Sequence, residues 1–300
     1  MYRVPVVVVV FNRPDCARQL VDVLSRIKPG KLYVISDGPR DSRPDDIEKV
    51  TASRDVFENL SWNCSVKRNY SVENLGCMER VSSGLDWVFS QESRAVILED
   101  DCVPDESFFR FCETALQFYE NIERVMSVSG TRFAPSTPGS PDIEFSRYAY
   151  CWGWATWANR WQKFHNELDQ DAMGLKLSYL QRKLGGLRAA FYWKWLLGQV
   201  SSGKINSWAY KWTYTHWVCD GLSAIPSVNL ISNIGAGKDA TNTTTDSRWL
   251  GRPIGPLRFP LNCPNSVAAA DDLDDWVEDH IFSKSLVERF RWIFRCVSRK

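Results

Sequence analysis

The chain opens on a valine-dominated run, Val4 to Phe11, with no polar alternation, the pattern of a strand covered on both faces in a parallel sheet. Asn12-Arg13-Pro14-Asp15 ends it. Leu20, Val23, Leu24 and Ile27 then recur at helical spacing, and Pro29-Gly30 closes that helix. Lys31 to Ser36 reads as a second strand stopped by Asp37-Gly38-Pro39, completing one βαβ unit. The alternation continues with a helix around Ile47 to Phe57, a strand near Ser65 to Asn69, a helix from about Met78 to Phe89 and the strand Ala95 to Leu98. Over roughly the first 130 residues it predicts an α/β fold with a doubly wound sheet.

After Gly130 the pattern changes. Pro135, Pro138, Gly139 and Pro141 mark a loop, and the stretch from Trp152 to Trp217 holds nine of the 14 tryptophans. Gly251 to Pro264 is proline-rich and extended. Asp271, Asp272, Asp274 and Asp275 then precede a last helix, in which Leu286, Val287, Phe290, Ile293, Phe294 and Val297 lie beside Lys284, Arg289, Arg291, Arg295, Arg299 and Lys300. That divides the chain into residues 1–130, a second half over 131–260, and a tail over 261–300 ending in a basic amphipathic helix suited either to peripheral membrane contact or to packing on the parent domain. No internal repeat is visible.

Composition narrows the class. With 44% hydrophobic and 24% charged residues the chain is globular and neither disordered nor fibrous. Its formal charge of +1 provides no overall field for nucleic acid. Nine scattered cysteines lack CxxC spacing, which points to a reducing cytoplasm. The opening apolar run is too short to span a membrane and has no cleavage site, so the Asn-x-Ser/Thr sequences at Asn59, Asn63, Asn69 and Asn242 are expected to be accidental. The expected location is cytoplasmic, at the inner face of a membrane if the tail helix docks there.

In an open parallel sheet, ligands bind beyond the carboxyl ends of the strands. The residues there are Arg13, Asp37 and Glu99-Asp100-Asp101. Carboxylates in that place hold Mg²⁺ or Mn²⁺ against a diphosphate, and an arginine fork suits phosphate. Acidic residues also simply end strands; the three neighbouring strand ends together favour a ligand site. No Gly-x-Gly-x-x-Gly or Gly-Lys-Ser/Thr occurs, so the phosphates would need a metal. His165, His216 and His280 have no metal-ligand spacing and receive no role. Most of the tryptophans are expected in the core, with Trp152-Gly153-Trp154 as a candidate sugar contact because indole faces suit sugar C–H groups and Gly153 permits close approach.

The sequence resembles the GT-A nucleotide-sugar glycosyltransferases, most closely the bacterial hemolysin-like group and more distantly N-acetylglucosaminyltransferase I. The resemblance rests on Pro5 to Pro14 (PVVVVVFNRP), Ile35 to Pro39 (ISDGP), Asn74 to Cys77 (NLGC), Val96 to Asp101 (VILEDD) with Pro104 to Phe109, Cys151 to Trp161 (CWGWATWANRW), Ser207 to Trp212 (SWAYKW) and Asn229 to Thr241 (NLISNIGAGKDAT). It implies a GT-A mixed sheet with a Trp-rich acceptor half, and an inverting transfer of N-acetylglucosamine or a similar sugar from a UDP-sugar to a carbohydrate or glycolipid hydroxyl in bacterial surface polysaccharide synthesis. By the same resemblance, Asp101 binds Mn²⁺ or Mg²⁺. Arg13, Asp37, Arg80, Glu99, Asp100, Asn233, Gly235 and Lys238 bind the donor, while Trp152, Gly153, Trp154, Trp208 and Tyr210 meet the acceptor or sugar.

One departure matters. The family's motif has an Asp after the first Trp, where it resembles a general base, but Ala209 stands between Trp208 and Tyr210. The intact motif around it favours an inactivating substitution over natural drift. Should the Ala209 chain turn over normally, Asp239 and Asp220 are the next candidates for the base. Two rivals share the strand-end carboxylates. A sugar-1-phosphate nucleotidyltransferase would want a Gly-rich basic loop where Phe11-Asn12-Arg13-Pro14 stands, and a non-catalytic carbohydrate-binding relative would not gain turnover when a carboxylate is restored.

Overall fold

The computed structural model describes residues 1–136, 139–166, 176–235, 250 and 252–282. In chain order it forms β1 (Val6–Val10), α1 (Pro14–Ile27), β2 (Lys31–Ser36), α2 (Asp46–Asp55), β3 (Ser65–Tyr70), α3 (Cys77–Phe89), β4 (Arg94–Glu99), β5 (Cys102–Pro104), α4 (Ser107–Phe118) and β6 (Val125–Ser129). There follow β7 (Ile143–Ser146), β8 (Trp154–Trp157), the single turns α5 (Ala158–Trp161) and α6 (Lys163–Asn166), α7 (Leu177–Leu184), α8 (Leu187–Ser201), α9 (Trp208–Val218), β9 (Leu222–Pro226), β10 (Ile231–Asn233), α10 (Asp271–Val277) and a π-helical turn Glu278–Phe282.

Eight strands make one mixed sheet in the order β3-β2-β1-β4-β8-β6-β9-β7. The expected α/β architecture is therefore present. The first four strands run parallel, as the βαβ alternation requires, and β8 enters antiparallel between β4 and β6. The same sheet thus contains strands from before and after residue 130. A separate two-stranded ribbon pairs β10 with β5, bringing Asn233 opposite Cys102.

Local sequence explains the elements that frame the site. Every valine of β1 except Val9 is fully buried, because helices cover both faces of the parallel region. Pro14 occupies the first turn of α1, where its missing N–H costs nothing. Gly84 lets α3 lie close on β2, since a Cβ there would sit 2.6 Å from the Ile35 side chain. On one face, Leu20, Leu24, Phe108, Phe111 and Trp157 pack under the sheet. On the other, Trp154, Trp161, Trp208 and Trp212 join Val7, Ile35, Leu85 and Ile97. These four indoles are at most 2% exposed, and most of the tryptophans in this stretch are core, as expected.

Candidate functional site at the strand ends

The register sets Ser36, Val10, Val9 and Glu99 side by side, so β2, β1 and β4 end together. The three chain segments that follow carry Asp37, Arg13 and Asp100-Asp101. Arg13 spans both aspartates: its Nη2 donates to Asp100 Oδ1 at 2.5 Å and its Nη1 to Asp101 Oδ2 at 2.7 Å. The backbone N–H of Phe11 donates to the other Asp100 oxygen at 3.1 Å. Strand ends far apart in sequence are thereby tied by one guanidinium, whose planar fork matches two carboxylates.

β10 covers this cluster from the second half. The Ile234 N–H donates to the Asp101 carbonyl at 2.9 Å, and the Gly235 N–H to Asn233 Oδ1 at 2.9 Å. Asn233 is buried. Gly235 lies directly against the Asp101 carboxylate and the Arg13 guanidinium. Asn233 and Gly235 are therefore at the site; Lys238 and Asp239 fall outside the described residues.

Asp37 is bound in a different way from the one the resemblance implies. Its Oδ1 accepts from the N–H groups of Gly38 and Leu75, and its Oδ2 from the Gly76 N–H and Asn74 Nδ2, all at 2.9 to 3.1 Å. Four donors fill the acceptor sites of a carboxylate. In this conformation Asp37 pins the 71–76 loop beside the strand end, and a base N–H would have to displace one of these donors. Sequence reasoning identified Asp37 and the NLGC segment separately; their mutual bond had no signal in spacing.

Two arginines stand behind that loop. Arg80 donates from Nη2 to the Asn69 carbonyl and Oδ1, both at 2.7 Å, while its buried Nε has no hydrogen-bond partner among the described residues. Arg54, which the sequence did not single out, donates to Ser36 Oγ and to the carbonyls of Asp37 and Ser71. Burial lowers the pKa of both guanidiniums, yet the Asp37 charge opposes that shift and both keep their charge. Arg80 thus bonds Asn69, next to the last residue of β3.

The Trp208 end of α9 meets the N-terminus of α3. Asn206 Oδ1 accepts from the Met78 N–H at 2.8 Å, and a Cβ on Gly76 would lie 2.5 Å from Asn206 Nδ2. Asn206 was missed because it lies just outside the SWAYKW segment. Ala209 packs against the same tryptophan cluster as Cys77 and Cys151. Cys77 in turn lies near Glu99, Asp37 and the Trp208 backbone, where burial pushes its thiol up to about 12. It is a neutral thiol at pH 7 and no nucleophile. Tyr210, likewise pushed up to about 12 by burial, holds its proton.

The tryptophans divide. Trp154 and Trp208 stack on each other, 5.4 Å between centroids and 25° apart, and are 1% and 2% exposed, so neither presents a ring face to a ligand. Gly153 does adopt φ +59, but the space beside it is taken by Ile231 and Leu98. Trp152 is half-buried and edges onto Phe133 at 5.6 Å. It remains the member of the Trp152-Gly153-Trp154 turn with accessible surface.

Among the described residues no group of three or more His, Cys, Asp or Glu side chains is placed to hold a metal. Asp101 offers carboxylate oxygens, with Glu99 beside it. Such a hard, incomplete set fits Mg²⁺ or Mn²⁺ when a diphosphate and waters complete the shell. Loss of hydration and the Asp101 charge raise the pKa of Glu99 above the ordinary carboxylate range. Asp100 has Arg13 against it, which opposes the rise caused by burial.

Other candidates lie elsewhere. His216 is fully buried, its Nε2 at 2.9 Å from Ser127 Oγ and its Nδ1 at 2.9 Å from the Trp212 carbonyl. Exposed His280 stacks on Trp276. Asp220 is exposed at the far end of α9, pairing with Lys183 and Arg124. That end lies about 15 Å along the helix from Ala209, at 1.5 Å per residue, which removes Asp220 as a base in this arrangement. The eight cysteines among the described residues are free thiols. The basic tail helix from Lys284 onward lies outside the described residues, and no described helix is long and apolar enough to cross a membrane.

No protein-family model matches the chain, and no curated protein matches it. Among solved structures, it is similar to a 4-diphosphocytidyl-2C-methyl-D-erythritol synthase from Anaerococcus prevotii, at 11% identity over 57% of this chain and 79% of the other, with a TM-score of 0.35. It is also similar to a UDP-glucose pyrophosphorylase complexed with UDP-glucose, at 5% identity over 53% and 78%, with a TM-score of 0.33. At such scores neither likeness bears on what this chain binds or does.

Proposed function

We propose that this chain is a GT-A glycosyltransferase that takes a UDP-sugar donor and a carbohydrate or glycolipid acceptor, and that Ala209 occupies the place of its general base. The observation that carries the reading is the convergence of Arg13, Asp37 and Asp100-Asp101 at three aligned strand ends, with Gly235 packed over Asp101 and Ala209 near the same mouth. It agrees with the resemblance from Val4 to about residue 245.

In this reading Asp101 and the donor diphosphate would hold Mn²⁺ or Mg²⁺, which supplies positive charge for the leaving diphosphate. Arg13 faces the same negative charge by its fork, releasing Asp101 Oδ2 as it does so. Asp37 fixes the 71–76 loop as one wall of the nucleotide pocket, and Asn233 holds the turn at Gly235 over it. Inversion requires a base on the acceptor side, in line with the departing diphosphate. Ala209 has no group to accept the proton, so the chain binds its substrates and turns them over slowly.

Calorimetry with UDP, UDP-N-acetylglucosamine, other UDP-sugars and CTP, each with Mn²⁺ and with EDTA, tests this reading. The expected result is UDP-nucleotide binding that needs the metal and is lost in Asp101→Ala. Equal affinity in EDTA would overturn it. Release of pyrophosphate from a nucleoside triphosphate and a sugar 1-phosphate would instead establish the nucleotidyltransferase chemistry.

A further inference from the structure

The chain's near-neutral total conceals one strongly uneven segment. Residues 176–219 hold seven of the 37 lysines and arginines and none of the 36 acidic residues. Structurally this segment is the α7–α8 hairpin and α9. α9 is largely buried, so the segment's open surface is the hairpin and the exposed connection 202–206 that carries Lys204.

α8 has two faces. Ala189, Ala190, Trp193, Leu196, Leu197 and Val200 are buried, packed with Leu180, Leu184, Tyr148 and Trp217. The opposite face is the one that a soluble helix ordinarily makes polar. Here Leu187 is 50% exposed and Phe191 is 60% exposed, with Trp195 one turn further on partly exposed and otherwise packed against the buried cluster. The i, i+4, i+8 spacing of these three stacks them in one stripe. Arg188 and Lys194 flank the stripe and are exposed. Asp271, Asp274, Asp275 and Glu278 line a cavity of about 320 Å³ with Arg147, Arg182, Lys183 and Gly185 of the α7–α8 turn, and Asp271 and Asp274 pair with Arg147 there.

We propose that the outward face of α8 docks on an anionic phospholipid bilayer, with Phe191, Leu187 and Trp195 entering the headgroup boundary and Arg188 and Lys194 meeting lipid phosphates. Apolar side chains ringed by cations on a helix free of acidic residues are the chemistry that an anionic interface recognises. Each cation near such a surface adds attraction that falls off within a Debye length, so the contact is salt-sensitive. With its inner face packed on the protein core, the helix meets the bilayer by its outward side alone and lies in the plane of the surface. This inference rests on α8 alone and stands whether or not the donor site takes a UDP-sugar.

Flotation of the full chain with vesicles of phosphatidylglycerol and phosphatidylcholine, beside pure phosphatidylcholine, tests it. The chain should float with the anionic vesicles and lose most of that binding at about 0.5 M salt. Leu187→Ser with Phe191→Ser, and separately Arg188→Glu with Lys194→Glu, should each reduce binding about 10-fold or more. All four positions are exposed, and unchanged thermal melting shows that the fold is intact. Quenching of tryptophan fluorescence by brominated lipid should fall in Trp195→Tyr. Absence of binding to anionic vesicles overturns the proposal, as does binding that the α8 variants leave intact, which would belong to another part such as residues 284–300. A concentration-dependent dimer that Phe191→Ser dissociates, without vesicle binding, overturns it in favour of a second copy of the chain.

Discussion

Gly235 packs against Asp101 so closely that a Cβ on the glycine would overlap the Asp101 carboxylate and lie 2.8 Å from Arg13 Nη1. At Gly235 the backbone therefore lies directly on the Asp101 carboxylate. No positive φ explains this glycine; space does.

Gly235→Ala should accordingly displace either the Asp101 carboxylate or the turn that Asn233 holds. If Asp101 presents its oxygens to a donor and its metal, the substitution weakens UDP binding in Mn²⁺ by about 10-fold or more, since 1.4 kcal/mol already gives a factor of ten. Calorimetry reads the affinity, and a melting temperature within a few degrees of the parent shows that the sheet is unaffected. Unchanged affinity would separate Gly235 from the donor site.

Asp37 provides a stability prediction that is independent of any ligand. Its carboxylate accepts from Gly38, Asn74, Leu75 and Gly76, and removing it strands those donors at a cost of about 1–3 kcal/mol. Asp37→Ala should show that loss in urea unfolding without nucleotide. Asp37→Asn should recover little, because an amide N–H₂ would oppose two donors. A variant of parental stability that loses only UDP affinity would show the carboxylate to be working on the base.

His216 predicts a pH dependence. Burial lowers its pKa to about 4, against 6.5 for the free side chain. Between those values the unfolded chain binds a proton that the native chain refuses, so stability is fully present above pH 6.5 and declines as pH falls toward 4. The full shift corresponds to about 3 kcal/mol. Buried Asp274, raised to about 6 by loss of hydration, contributes with the opposite sign as pH falls, so the His216 contribution is read as a difference: between pH 7 and pH 4.5 the parent should lose more stability in urea unfolding than His216→Gln, which keeps a donor and an acceptor without titrating, by an amount of that order.

β1, β2 and β4 are legible because each is largely apolar between its ends, whereas the polar β3 (SVKRNY) shows only through the βαβ alternation, and the strand-end rule leads from the first three to Arg13, Asp37 and Asp101. What pairs with what was not legible. The β5–β10 ribbon joins three-residue strands whose partners, such as Asn233 and Cys102, are more than a hundred residues apart, and strands so short leave no periodicity to read. Trp154 and Trp208 illustrate the same limit: composition suggests aromatic surface for a sugar, but stacking on each other removes both faces. Arg54 and Asn206 act mainly through backbone groups, with Ser36 Oγ the one side-chain partner of Arg54 given above, so their residue type carries no signal.

Ala209 is the position where restoring one carboxylate should change chemistry and little else. It is the second residue of α9, after Ser207 and Trp208, where an acidic side chain favours the helix through its dipole. Ala209→Asp should therefore fold at least as well as the parent. The groups nearby leave the base role open: Tyr210 holds its proton up to about 12, Cys77 likewise, and His216 is enclosed in its network with Ser127 and Trp212. A positioned base contributes about 10²–10⁴-fold, so release of UDP from the cognate donor and acceptor should rise by ~10²-fold or more with donor affinity little changed. Turnover of the restored protein should fall on the acid side as the new carboxylate takes up a proton, a limb that the Ala209 chain lacks. If the Ala209 chain already releases UDP at about 1 s⁻¹ or faster, or if Ala209→Asp leaves the rate where it was, the proton goes to another group and position 209 is not the base.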